Sequence, residues 1–164
     1  MTMASSGTAT VTLPQDDQIL IRREFDAPRH LVYRAWTEPE LVRRWWAGRR
    51  GEVTSAEIDL RVGGGWRYVM MADDGHEVGF HGEFREIVPG ERIVSTEVYE
   101  GAPEGEAVNL ITFTEAGDRT VLSILMQLPS REVRDIIIAS GMETGMQESM
   151  DLLEEVAMAL TEAR

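Results

Sequence analysis

Cysteine is absent, which excludes disulfides, thiolate nucleophiles and every cysteine metal site. Lysine is absent as well: all 16 basic residues are arginine, set against 29 acidic ones, for a formal charge of −13 and a pI near 4.6. Nucleic-acid binding draws on counterion release by cationic side chains, and here the balance runs the other way, so no nucleic-acid partner is expected. No stretch approaches 18 consecutive apolar residues, so no membrane-spanning helix is expected. The first residues lack a charged segment followed by an apolar run, so no secretory signal is expected and the cytoplasm is the expected location. There are only three histidines, His30, His76 and His81, and none stands in an H-E-x-x-H or comparable spacing. The sequence therefore gives no reason to expect a metal or another cofactor.

What is present is a chain of 164 residues, 43% of them hydrophobic, a length suited to one domain. A chain of this size buries roughly 70% of its unfolded surface, so a core can form without staples. The arginines are unevenly spread. Eight lie between Arg22 and Arg50, where only four acids stand, while residues 51–164 carry most of the negative charge. This basic segment reads as the solvated face of a helix pair; the sharper alternative is a surface that steers an anion or docks an acidic partner.

Residues 1–16 read as a loose tail, with a short strand near Thr10–Leu13, and residues 17–164 as a single domain. Ile19, Ile21 and Phe25 alternate with polar neighbours as a first strand, and Arg23 shares their face. Asp26-Ala27-Pro28 opens a helix whose apolar stripe is Leu31, Val32, Ala35 and Trp36. Thr37-Glu38-Pro39-Glu40 has the spacing of a capping box for a second helix, with Leu41, Val42 and Trp45 on its buried side. From residue 51 to 128 the pattern alternates with period two between turn signals such as Asp73-Asp74-Gly75 and Pro89-Gly90, which predicts six more strands in an antiparallel sheet. Ser130 is placed to cap a long amphipathic helix running to about Ala163. Strand, two helices, six strands and a long helix make an α+β fold of about seven strands, with the curved sheet gripping the C-terminal helix.

Few features carry chemistry. His81 and Glu83 share a strand face, and with Tyr68 they are the only acid–base candidates; a polar pair on the outer face is the plainer reading, and no catalytic residue is assigned. Gly63-Gly64-Gly65 passes from strand to strand and reads as a tight corner, since phosphate loops lead into a helix. Gly141 and Gly145 both fall within the long helix, where each costs about 1 kcal/mol relative to alanine. Either the helix approaches the sheet closely there or a void lies beneath it. Met142, Met146 and Met150 lie in the same stretch and suit a deformable apolar space. The adjacent Trp45 and Trp46 suit one end of such a cavity.

Several runs resemble a known family. Arg23-Glu24-Phe25-Asp26-Ala27-Pro28, Val32-Tyr33-Arg34-Ala35-Trp36, Pro39-Glu40-Leu41 and Trp45-Trp46 are similar to the family named after the activator of the heat-shock-protein-90 ATPase, within the START-like (SRPBCC) superfamily. So are Asp59-Leu60-Arg61-Val62-Gly63-Gly64, Gly82-Glu83-Phe84-Arg85-Glu86-Ile87, Glu91-Arg92-Ile93 and Gly145-Met146-Gln147-Glu148-Ser149-Met150. The resemblance covers roughly residues 18–160 and implies a helix-grip fold with a deep cavity between sheet and C-terminal helix. Met146 stands where the family pattern has a tryptophan, which makes the cavity more pliable. The family's eukaryotic name-giver has a further N-terminal domain for which this chain has no room.

The expected function is binding of a small, largely apolar molecule in that cavity. Trp66, Tyr68, Met70, Phe80, Phe84, Thr96, Met126, Met142, Met146 and Leu153 are the expected lining residues. The alternatives are a pocket-based enzyme of polyketide cyclase type and a chaperone-associated interaction module, the latter disfavoured by the missing domain. A homodimer is left open.

Overall fold

The computed structural model describes residues 8–162. The first seven residues of the expected tail lie outside them. The short strand foreseen near Thr10–Leu13 is β1, Thr10–Thr12, followed by β2, Gln18–Phe25. Helices α1, Arg29–Thr37, and α2, Pro39–Val42, come next. Six strands then follow in hairpin order: β3, Gly51–Ile58; β4, Gly65–Ala72; β5, Glu77–Val88; β6, Arg92–Tyr99; β7, Ala107–Ala116; and β8, Arg119–Gln127. The chain closes with α3, Arg131–Ala139, and α4, Met142–Glu162.

All eight strands join one antiparallel sheet in the order β1-β2-β8-β7-β6-β5-β4-β3. The count is eight and not seven, because Thr10–Thr12 pairs with Leu20–Arg22. Neighbours in sequence are neighbours in space except where β2 returns to pair with β8. Asp59 to Gly65 forms the expected corner between β3 and β4: Asp59 N–H donates to the Gly65 carbonyl, and Gly63 N–H to that of Phe84.

The C-terminal segment is two helices, not one. Ser130 caps the first, its hydroxyl accepting from Val133 N–H. Gly141 then adopts φ +84°, a left-handed conformation that L side chains avoid, and the helix breaks there. Gly141 is thus a hinge between α3 and α4, and neither a void nor a close contact explains it. Gly145 lies within α4, and a Cβ there would sit 3.3 Å from Cζ of Arg50. What covers it is an arginine side chain, in place of the sheet contact or void expected from the sequence. The capping box also fails to form. Thr37 ends α1 and its hydroxyl donates to the Tyr33 carbonyl, so Glu38 becomes the N-cap of α2 without a side-chain bond.

The solid core lies where β2 and β8 meet α1 and α4. Ile19, Phe25, Val32, Leu122 and Leu153 are almost wholly buried in it. Arg23 shares the inward face of β2, as its spacing requires, and is buried with them. Its guanidinium donates to Asp151 Oδ1 at 2.8 Å and Glu154 Oε1 at 3.1 Å, which ties β2 to α4. Charge pairing of this kind is what lets an arginine sit in an apolar core.

Candidate functional site: an aromatic cavity with one carboxyl

Beyond that core the sheet curves away from the helices and leaves a cavity of about 390 Å³. The inward faces of β4 to β8 form its floor. Met142, Met146 and Met150 of α4, with Ile137 of α3, form its roof, and Trp36, Trp45 and Trp46 form one end. Two indoles of that end are braced. Trp45 Nε1 donates to the Ala35 carbonyl at 2.9 Å, and its ring lies 5.0 Å from that of Trp36. Trp46 reaches across, packing edge-on against both Tyr68 and Phe80 at 5.3 Å. Tyr68 continues to Trp66 at 4.8 Å, and Phe80 to Tyr99 at 5.2 Å. Five rings therefore make one connected aromatic wall, a geometry with both dispersion and quadrupole contributions.

The polar part of the lining is small. Ser149 donates to the Trp46 carbonyl and Ser140 to that of Ile137, so both hydroxyl hydrogens are engaged. The one charged residue in the wall is Glu97 of β6. Asn109 of β7 donates from Nδ2 to Glu97 Oε1 at 2.7 Å. Asn109 Oδ1 is buried without a hydrogen-bond partner. Burial pushes the Glu97 carboxyl above its ordinary value of 4.5, and the Asn109 bond only partly opposes this. The Tyr68 phenol is raised too, first by burial and then by the Glu97 charge. Among the described residues, no arginine and no histidine borders the cavity. Among the described residues, no three or more histidine, aspartate or glutamate side chains gather as metal ligands.

Of the ten residues expected to line the site, Trp66, Tyr68, Phe80, Phe84, Met126, Met142 and Met146 border this cavity. Met70, Thr96 and Leu153 do not. Met70 shares a strand face with Tyr68 but lies further along β4, toward the Asp73–Gly75 turn. Leu153 belongs to the solid core. Thr96 is one residue out of phase: Ile93, Ser95, Glu97 and Tyr99 face the cavity, while Thr96 accepts Glu83 N–H on its hydroxyl. Thr96, with Val94 and Val98, belongs to the more apolar alternating set of β6, yet this set lies on the opposite face. A cavity wall packs against space, so polar residues are tolerated there and the pattern inverts.

The acid–base candidates separate. His81 and Arg67 lie on the outer face with Glu100, whose carboxylate accepts from Arg67 Nε at 2.8 Å and sits 2.8 Å from His81 Nδ1. Those two partners hold Glu100 down at about 2. Glu83 is exposed and does not border the cavity. Glu97 and Asn109 were missed. The available signal was a lone acid within the apolar stretch Ile93–Tyr99.

An antiparallel sheet bent around a C-terminal helix, with a cavity held between them, defines a helix-grip α+β domain. The chain belongs to the family described as activator of Hsp90 ATPase homolog 1-like protein, whose model matches residues 26–158. A protein from Rhodobacter sphaeroides has a similar crystal structure, with a TM-score of 0.85 at 24% identity, over 92% of this chain and 99% of that one. One from Nitrosomonas europaea gives 0.82 at 22% identity, over 93% and 100%. One from Chromobacterium violaceum gives 0.76 at 29% identity, over 87% and 98%. These likenesses concern the fold. No curated protein matches the chain. No helix among the described residues is long and apolar enough to cross a membrane.

Proposed function

We propose that the chain binds a small, largely apolar molecule in the cavity between sheet and α4. The observation that carries this reading is the cavity itself: about 390 Å³, walled by aromatic and methionine side chains, with one carboxyl as its charged group. A concave, mostly apolar recess of this volume with few polar groups is the usual form of a small-molecule site. The methionine roof and the Gly141 hinge supply the give that entry requires.

Native mass spectrometry of protein purified from its own cells tests this. A retained small mass is expected, and it should vanish from Met146→Trp, in which the roof fills the space. A ligand at a hundred times its Kd should add about 2.7 kcal/mol of stability by mass action. The reading fails if no mass is retained and no member of a broad panel of fatty, aromatic and polyketide-like compounds raises the melting temperature.

A second reading, proton transfer to or from the bound molecule as in a cyclase-type enzyme, draws on Glu97. A carboxyl whose pKa burial raises, standing in a pocket, suits general acid–base work. Its test is loss of turnover in Glu97→Gln with ligand binding intact.

A further inference from the structure

We infer that the occupant of the cavity is an organic cation, an amine or quaternary ammonium on an apolar body, recognised by Glu97 and the connected aromatic wall. This rests on the ligand-binding reading above and names the chemistry of the ligand. Three features of the site converge on it.

The first is an acceptor without a partner. Glu97 is flanked by apolar strands, yet it keeps accessible area, and that area faces the cavity. Oε1 is taken by Asn109, while Oε2 has no hydrogen-bond partner among the described residues. An ionised carboxylate so placed carries a desolvation cost that only a positive charge or a donor can offset. Asn109 supplies one donor, to Oε1, and among the described residues no arginine or histidine enters the lining. The position facing Oε2 is open to a group carried by the ligand.

The second is the five-ring wall of Trp66, Tyr68, Trp46, Phe80 and Tyr99. Cations are attracted to the negative faces of aromatic rings, and cages of such rings are a recurrent device for binding substituted ammonium groups. Tyr99 stands two residues from Glu97 on the same strand face, so wall and carboxyl adjoin.

The third is the sign of the whole molecule. A formal charge of −13 favours the approach of cations and opposes that of carboxylates and phosphates. A fatty acid or a phosphorylated ligand would bring its own negative charge beside Glu97 with no cation to meet it.

Calorimetric titration with three probes on one naphthylmethyl body separates the alternatives: (2-naphthylmethyl)trimethylammonium, 2-naphthalenemethanol and 2-naphthylacetate. The ammonium is expected to bind roughly tenfold more tightly than the alcohol, and the carboxylate most weakly. Glu97→Gln should remove most of the ammonium's advantage over the alcohol. Because the quaternary ammonium has no N–H, its advantage isolates charge from hydrogen bonding. Binding of the carboxylate as tightly as the ammonium overturns the inference, as does an ammonium affinity untouched by Glu97→Gln. If that variant does not fold, the ranking of the three probes on the parent chain still decides. Failure of all three probes to bind counts against the cavity reading itself, whereas an inverted ranking leaves the cavity standing and removes only the cation.

Discussion

The indole of Trp66 donates from Nε1 to the carbonyl of Thr96 at 3.1 Å, passing directly over Gly82. The β5–β6 ladder has a gap here, between the pairs His81–Val98 and Phe84–Ser95. Thr96 is buried, so its carbonyl needs a donor, and a side chain two strands away supplies it. Gly82 is what makes room: a Cβ there would collide with the Thr96 carbonyl and lie 2.5 Å from the indole nitrogen.

Gly82→Ala is therefore expected to cost about 1–3 kcal/mol, because a backbone oxygen cannot swing aside as a side chain can. Trp66→Phe keeps the ring but leaves the carbonyl unpaired, at a similar cost of about 1–3 kcal/mol. Denaturant midpoints check both. The double variant should cost less than the sum of the two, since each breaks the same arrangement.

Glu97 makes stability depend on pH in a direction opposite to most acids. Its carboxyl is raised above 4.5 in the folded chain, so folding holds a proton that the unfolded chain releases. Stability contributed by this group is whole below 4.5 and falls as pH climbs toward the raised value. Glu97→Gln cannot ionise and should escape that fall. Urea unfolding of both proteins from pH 4 to pH 8 should give curves that diverge above 4.5 and then run parallel; curves parallel throughout would refute the assignment.

Two glycines four residues apart should respond in opposite ways. Gly141→Ala forces a side chain into a left-handed backbone and is expected to cost about 1–2 kcal/mol. Gly145→Ala meets only the flexible, half-exposed Arg50 side chain, and the helix gains up to about 1 kcal/mol. Thermal unfolding of the two variants separates hinge from helix interior.

The buried end of the ion pairing carries the larger energy. Removing Glu154 strips a partner from a guanidinium whose side chain is 1% exposed, and about 3 kcal/mol is expected to be lost. Removing Glu38, the exposed partner of Arg34, should leave the unfolding midpoint within experimental error. Equal effects of Glu154→Ala and Glu38→Ala would contradict this.

The fold was legible because local signals agreed with each other. Turn residues, period-two strands and the amphipathic pattern of the C-terminal segment each pointed to elements that formed. What stayed hidden had one physical origin. Side chains that pack against solid protein obey apolar alternation, and Ile19, Ile21 and Phe25 did. Side chains that face a cavity need not, so alternation gives no sign of Ser95, Glu97 and Asn109 as lining residues, while Thr96 was expected among them. The break at Gly141 was hidden because apolar spacing continues across it, and only backbone conformation distinguishes a weak helix position from a hinge.

The edges of the sheet bear on how copies of this chain meet. An open strand edge is a template for another strand, and a long flat one invites aggregation. Here β1 offers three residues before Pro14. At the far side, β3 carries a bulge between Val53 and Ser55, with Glu52 and Glu57 on either side of it. The Arg43 guanidinium donates to the outward carbonyls of Val53 and Thr54, both at 3.4 Å. One border is too short to recruit a strand and the other is already occupied by an arginine. Both borders therefore disfavour extending the sheet from copy to copy.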